Sequence, residues 1–567
     1  MQKHLLRASL LKTLSLNARL SRLDSTPPIR SNAVEEGNIQ IPLWSVPLVL
    51  VVLYVCLFSG LGALGLVGPD EPRYAAIARA MAESHDWITP RLWGTPWFEK
   101  PVLYYWAAGI SMRIFGVSEF AARLPSASGA LLAVVAVTWT ALRSYGIGAA
   151  WYALLMLPTS VAMIGFSRAA TPDMLFAGML TAAMAIAAEM LQKSRPGAVL
   201  RIAFGFFLGA AVLAKGPAAI ILAGGATLLW AGLSRQWRAS FRFLHPLVIA
   251  AFCATALPWY ILCALRNPGF LRDFIWHHNF ERYLTPVFEH PQPFWFFGVI
   301  LLLAPIPWIW VFCTLLTRIR LKKDAMNSFG ALLGCWVVFT VFFFSLSQSK
   351  LPSYILPAIP LLCVLRGREV ARSVERGGKE TIWQMGAAGL IFLVGGVLYI
   401  KPALDIGPML RTTDIRGIIA ALSVCIVGGL SILALSLLKR PKAALLGIAV
   451  VVIIVVEIAN VGILPQTDHI FSPRELAQFI ISKDSDASDV AEYKLPRTWK
   501  YGLNYYFQGE LREWTPGSPP PDWIVTTPKS ALEIQEGGIQ VQEINPISAP
   551  TIMLLHVLRP EVKQLPR

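Results

Sequence analysis

Charge is scarce in this sequence: Asp, Glu, Lys and Arg make up 15% of its 567 residues, against roughly 25% in an ordinary soluble domain. With 55% of residues hydrophobic, too little polar surface exists to clothe the three or four water-soluble units that length alone suggests. The loops lack cysteine. All seven (Cys56, Cys253, Cys263, Cys313, Cys335, Cys363 and Cys425) fall inside apolar runs, so the loops contain neither a disulfide framework nor a CxxC metal knuckle. No internal repeat stands out, which counts against, without excluding, the inverted-repeat plan of many secondary transporters. Nor is the excess of 50 Lys+Arg over 34 Asp+Glu a nucleic-acid signature, because the basic residues sit mainly in short loops between apolar spans.

Long apolar runs are what the sequence has in abundance. Thirteen stretches, near 43–67, 123–142, 147–165, 171–192, 198–214, 217–233, 244–265, 294–316, 329–347, 351–366, 382–400, 416–438 and 443–464, suit a hydrocarbon core of about 30 Å. The shorter run 102–116 is expected as an interfacial helix. Lys3, Arg7, Lys12, Arg19, Arg22 and Arg30 crowd the N-terminal tail, and basic clusters recur in alternate loops as far as Lys439, Arg440 and Lys442. By the positive-inside rule the tail is cytoplasmic and the C-terminus external. Residues 1–42 are expected as a cytoplasmic extension, although their Leu-, Arg- and Ser-rich start also has the composition of a transit peptide. Residues 43–464 form the transmembrane part, with external loops at 68–122 and 266–293. Residues 465–567 alternate helical segments (RELAQFIISKD, SALEIQEGG) with strand-like ones (DWIVTT, TIMLLHVL), which predicts a small α/β domain.

The chemistry concentrates in the external segments. Asp70 and Glu71, bracketed by Pro69 and Pro72, suit a rigidly held acid or base, or equally the first turn of a helix over 72–83. Glu99 and Lys100 lie inside the aromatic run Trp97–Trp106. They suit an anion site beside a metal ligand, or an aromatic interfacial belt with a snorkelling lysine. Arg168, Lys215 and Lys350 are cations on the side that topology disfavours. Asp173, one turn into its span, would be costly facing lipid; it either serves the site or pairs with Arg168. His277 and His278 are adjacent, so at most one is expected in a given site, and two histidines alone are a weak metal signal. Arg282 beside them can bind phosphate bidentately. Tyr354, one turn below Lys350 in a proline-broken span, either offers its hydroxyl to the same anion or is a plain interfacial tyrosine.

These residues carry a family likeness. The segment DEPRYAAIARAMAESHDWITPRLWGTPWFEKPVLYYWAAGISMRIFGVSEFAARLPSA, residues 70–127, strongly resembles the first periplasmic loop of bacterial lipid-linked glycosyltransferases of the aminoarabinose transferase group, within the protein mannosyltransferase-like membrane transferases. SRAATPDMLFA and SQSKLPSYILPAIPLL resemble further landmarks. The resemblance implies a polytopic α-helical membrane protein of GT-C type, with about thirteen transmembrane helices and a small C-terminal α/β extracytoplasmic domain, in the bacterial inner membrane. It implies a catalytic Asp70, with Asp173 at the acidic position of the fourth span. It implies Lys100, Arg282 and Tyr354 near the donor phosphate; Lys350 is a further candidate cation on electrostatic grounds. Glu99 with His277 or His278 would hold a divalent metal cation, zinc among the candidates. Trp97-Phe98 departs from the Tyr-Phe of many relatives.

The reaction so implied is inverting transfer of a sugar, best matched by 4-amino-4-deoxy-L-arabinose, from a polyprenyl (undecaprenyl) phosphate donor to an envelope acceptor, best matched by a lipid A phosphate. Charge developing on the departing phosphate calls for fixed cations. Asp70 is a general base if the acceptor is a hydroxyl; if the acceptor is already anionic, it orients the acceptor or stabilises cationic character at the sugar. The alternatives are polyprenyl-phosphate hexose or mannose transfer to protein or glycan, and a transporter or flippase of a lipid-linked anion. The expected partners are the lipid-linked donor, the envelope acceptor and membrane lipids, with no nucleic acid.

Overall fold

Each expected apolar stretch folds as a helix or a broken helix in the computed structural model, which describes residues 45–284, 291–316, 329–402, 415–483, 487–544 and 551–558. The N-terminal extension, 1–42, lies outside these residues. Among the described residues seven helices are long and apolar enough to cross a membrane, and the pair Ile147–Met156 and Val161–Ser167, bent by 61°, forms an eighth. Three more apolar helices are shorter: Ser45–Phe58, Ala218–Ser234 and Phe329–Ser345. The remaining two spans are broken at prolines, Phe296–Leu303 with Ile309–Leu316 and the 3-10 turn Pro352–Ala358 with Ile359–Glu375. This is a multi-pass membrane protein.

The breaks have partners. Backbone polar groups freed inside a membrane must be satisfied by protein, and two broken spans satisfy one another: Val161 N–H donates to Ile306 O at 2.9 Å, Ala162 N–H to Ala304 O at 3.0 Å, and Trp308 Nε1 to Thr159 Oγ1 at 2.9 Å. Trp336 Nε1 donates to Pro357 O at 2.9 Å in the third break. The first span is shorter than its apolar run, because the helix stops at Phe58 and the chain beyond is tied to side chains. Arg123 donates to the carbonyls of Leu61 (2.8 Å), Leu64 (2.6 Å) and Gly65 (2.7 Å).

Small residues let key helices approach closely. A Cβ on Gly178 would stand 2.2 Å from Gly129 O, so helices Glu119–Tyr145 and Pro172–Gln192 touch through their backbones. That contact fixes the helix that begins beside Asp173.

The first loop carries helices Asp70–Ser84 and Leu103–Phe115; the second is the expected interfacial segment. Between them, loop 85–98 is pinned by Trp106 Nε1 to Trp87 O (2.7 Å), Trp259 Nε1 to Ile88 O (2.9 Å) and Arg266 to Asp86 (2.7 Å).

The C-terminal domain has one mixed sheet. Its strand order is Arg512–Glu513, Val490–Tyr493, Trp523–Thr526, Met553–Val557, Val541–Ile544. The first three strands are parallel and the last two pairings antiparallel. Helices Arg474–Ile481 and Pro528–Glu536 coincide with the expected helical segments, and a further helix, Arg497–Tyr506, packs against Asp70–Ser84. The domain is bound by polar contacts to the first loop, Tyr506 OH to Glu119 (2.8 Å), and to the chain just before it, Leu66 N–H to Tyr506 OH (3.0 Å) and Gly65 N–H to Asp468 (2.7 Å).

Candidate active site

The two neighbouring acids of the first loop separate into different environments. Glu71 is buried. Its carboxylate accepts from Arg123 Nη2 (2.7 Å) and Nε (3.3 Å), from Ala170 N–H (2.7 Å) and from Val67 N–H (2.9 Å). Every strong acceptor direction is therefore filled by protein, and Glu71 fastens the first loop to two spans. Asp70 begins the helix with its side chain 44% exposed, ion-paired to Arg73.

Arg73 organises the acids. From one helical turn beyond Asp70 it pairs with Asp70, donates through Nη1 to Glu99 Oε2 at 3.0 Å, and donates through Nε to Pro69 O at 2.9 Å. Burial works against its charge, but the Glu99 and Asp70 carboxylates outweigh that and hold the guanidinium well above its ordinary value. Tyr74, whose hydroxyl is 3.5 Å from Glu99 Oε1, is raised well above the usual phenol value by burial and then by Glu99; it is a neutral donor.

Glu99 also meets Lys100 at 3.4 Å, and both line a cavity of about 360 Å³ with Lys215, His278, Tyr283, Ser347 and Tyr354. Its other walls include Pro217, Ala218, Ile221, Leu284, Phe343 and Phe344, so a charged cluster meets an apolar wall. Lys215 is ion-paired to Asp173 from the adjacent helix, and its ammonium lies 4.5 Å from the centre of the Tyr354 ring. Gly216, at φ +83°, ends the Lys215 helix in a conformation glycine adopts without strain, and Pro217 starts the next helix directly. Tyr354 is supported by Phe344 and Phe297, with ring centroids 5.1 and 6.5 Å away. A half-buried ion pair flanked by rings contributes little to holding a fold together and is an effective way to keep charge ready for an anion in a partly dry cavity.

Of the residues that the sequence singles out, Glu99, Lys100, Lys215, His278 and Tyr354 meet at this cavity, with Asp70 joined to Glu99 through Arg73 and Asp173 joined to Lys215. Asp173 does not pair with Arg168, which instead donates to the carbonyls of Val55 (2.8 Å) and Ser59 (3.1 Å) at the end of the first span. Lys350 is buried and donates to Ser347 O at 2.6 Å, closing its own turn; it is not on the cavity lining, where Lys215 stands instead. His277 is hydrogen-bonded to Glu281 on its own helix. The Arg282 side chain lies outside the described residues. Arg73 carries no role in the sequence reading, where the i,i+3 spacing of Asp70 and Arg73 was the available signal; Lys215 stands there only as a conspicuous external cation, and nothing local announces its pairing with Asp173.

No group of three His, Cys, Asp or Glu residues close enough to hold a metal ion occurs among the described residues. Glu99 and His278 supply two donors on one cavity, a set that fits only a cation completing its shell with substrate or water.

The family model for dolichyl-phosphate-mannose-protein mannosyltransferase matches residues 43–272. The chain is similar to an undecaprenyl phosphate-α-4-amino-4-deoxy-L-arabinose arabinosyl transferase of Edwardsiella ictaluri, with 32% identity over 357 residues, 62% of this chain and 63% of the relative. It thus spans just under two thirds of that relative's length. A second such transferase, from Sodalis glossinidius, is 31% identical over 398 residues, 68% of this chain and 71% of its own. The crystal structure of ArnT from Cupriavidus metallidurans bound to undecaprenyl phosphate has 23% sequence identity and superposes with a TM-score of 0.71, covering 91% of this chain and 98% of that one. The two share a fold.

Proposed function

The chain belongs to the family of undecaprenyl phosphate-α-4-amino-4-deoxy-L-arabinose arabinosyl transferases, and on that premise we propose that it is an inverting membrane glycosyltransferase. It moves 4-amino-4-deoxy-L-arabinose from undecaprenyl phosphate to a phosphate of lipid A, on the periplasmic face of the inner membrane. The observation that carries this reading is the cavity in which Lys100 and Lys215 adjoin a wall of Phe343, Phe344, Ile221 and Leu284. Cations beside apolar surface are what an anionic headgroup on a prenyl chain requires.

In the proposed reaction an acceptor oxygen bonds to the anomeric carbon as the bond from that carbon to the carrier phosphate oxygen breaks, and the electron pair leaves with the phosphate. Lys100 and Lys215 stabilise the charge that grows there, and Tyr354 contributes a hydroxyl. Asp70 is the exposed member of the acid pair, so it is the one that can meet the acceptor. Toward an anionic acceptor it orients the nucleophile or stabilises cationic character at the sugar; toward a hydroxyl it takes the proton. Glu99 and His278 would be the protein ligands of a divalent cation, which would supply Lewis-acid stabilisation of phosphate.

Mass spectrometry of lipid A and other envelope glycans from cells with and without the protein tests the proposal. Loss of aminoarabinose from lipid A supports it. An unchanged lipid A with a sugar lost from protein or another glycan replaces the acceptor, and no change in any glycan favours transport of a lipid-linked anion.

A further inference from the structure

The Arg73 guanidinium gives three of its five N–H donors to Asp70, Glu99 and Pro69, and aromatic rings pack around it. Three surround it. Tyr74 (5.7 Å from ring centre to Cζ) and Trp97 (5.8 Å) belong to the same loop, whereas Tyr501, at 5.2 Å, comes from helix Arg497–Tyr506 of the C-terminal domain. Arg497, one turn earlier and exposed, lies 5.8 Å from the centre of the same Tyr501 ring. Such contacts stabilise by about 0.5 kcal/mol when exposed to 2 kcal/mol or more when desolvated, and Arg73 is buried.

Sharing of one guanidinium between an exposed and a buried carboxylate depends on its orientation. A tilt toward Glu99 releases Asp70, and a tilt toward Asp70 loosens the 3.0 Å contact with Glu99. The loop's own rings move with the loop. Tyr501 belongs instead to the C-terminal domain, where its helix is anchored by Leu503, buried in the domain core.

We propose that Tyr501 is a positioning residue for sugar transfer: through this ring the C-terminal domain holds Arg73 so that it divides its charge between Asp70 and Glu99. The inference rests on the transferase reading above, and it makes the domain part of the catalytic arrangement.

The test compares Tyr501→Leu and Tyr501→Phe, each alone and combined with Arg73→Gln, in full-length protein in nanodiscs. Transfer from undecaprenyl phosphate-aminoarabinose is measured together with deuterium exchange over residues 70–84 in the absence of substrate. Tyr501→Leu should lower the rate about threefold to thirtyfold, leave donor KM within about twofold of the parent, and speed exchange over 70–84. Tyr501→Phe should recover most of the rate. In the Arg73→Gln background Tyr501→Leu should cost nothing further, since the group it orients is gone. A loss that persists undiminished in that background, a Phe variant as impaired as Leu, or an effect confined to KM overturns the proposal. If the parent protein transfers no aminoarabinose while exchange responds as described, the transferase reading fails and the clamp stands. Transfer and exchange both indifferent to Tyr501 sink the clamp alone.

Discussion

Glu71→Gln and Asp70→Asn change neighbouring residues by the same chemistry and should have opposite consequences. Glu71 engages Arg123 twice and accepts two backbone N–H groups, with both partners of the ion pair almost fully buried at 4% and 6% side-chain exposure. Glutamine retains one acceptor oxygen and turns an N–H₂ toward donors, so Arg123 keeps its carbonyl partners and loses its counter-charge. Removing one partner of such a pair costs about 3–5 kcal/mol. Asp70 sits at the surface of its pair, where an ion pair contributes about 0–1 kcal/mol, so Asp70→Asn should fold nearly as well as the parent. The gap of at least about 2 kcal/mol is measurable as a lower apparent melting temperature by size-exclusion chromatography of detergent-solubilised protein after heating. Transfer is then measured on the surviving folded fraction. Glu71→Gln should melt early and lose far less transfer per folded molecule than Asp70→Asn, which should melt normally and lose most of it. A Glu71→Gln protein that melts with the parent yet transfers nothing would refute the structural assignment of Glu71 and return it to the chemistry.

Lys100→Ala and Lys215→Ala should each weaken binding of undecaprenyl phosphate by about 1.5–3 kcal/mol, near tenfold to a hundredfold, read by native mass spectrometry or microscale thermophoresis; Lys350→Ala should weaken it less than either, because its ammonium is committed to Ser347 O. Glu99→Gln should reduce divalent-cation occupancy measured by elemental analysis of purified protein, and unchanged occupancy removes Glu99 from the ligand set. A reporter fused after the C-terminal domain should be active outside the cytoplasm and one near Arg372 inside it; the reverse at either point discards the orientation.

Much of this site was legible because it is local. Glu99 and Lys100 are adjacent in an aromatic run, and Tyr354 lies in a segment whose prolines mark a broken span. The apolar runs located the helices for the same reason, since a bilayer imposes length and hydrophobicity on each span separately. The pairings were not legible. Asp173 lies five residues from Arg168 and forty-two from Lys215, so the nearer cation looked like the partner, but Arg168 is drawn away by the carbonyls exposed where the first span ends. The run 43–67 looked continuous because apolarity does not record where Arg123, far along the chain, takes the carbonyls of Leu61, Leu64 and Gly65. Strand Val490–Tyr493, sequence VAEY, is buried at all four positions with Glu492 paired to Lys500, and its acid hid it from a search for apolar alternation.

Single-turnover transfer by purified protein in nanodiscs, with undecaprenyl phosphate-aminoarabinose and lipid A as the only substrates and mass spectrometry of the lipid A as the readout, tests the central claim most directly. The expected result is aminoarabinose on a lipid A phosphate with the parent protein, and none with Asp70→Asn although that variant still binds the donor. Donor that is bound and left intact by the parent protein, or sugar transferred at the parental rate by Asp70→Asn, would contradict it.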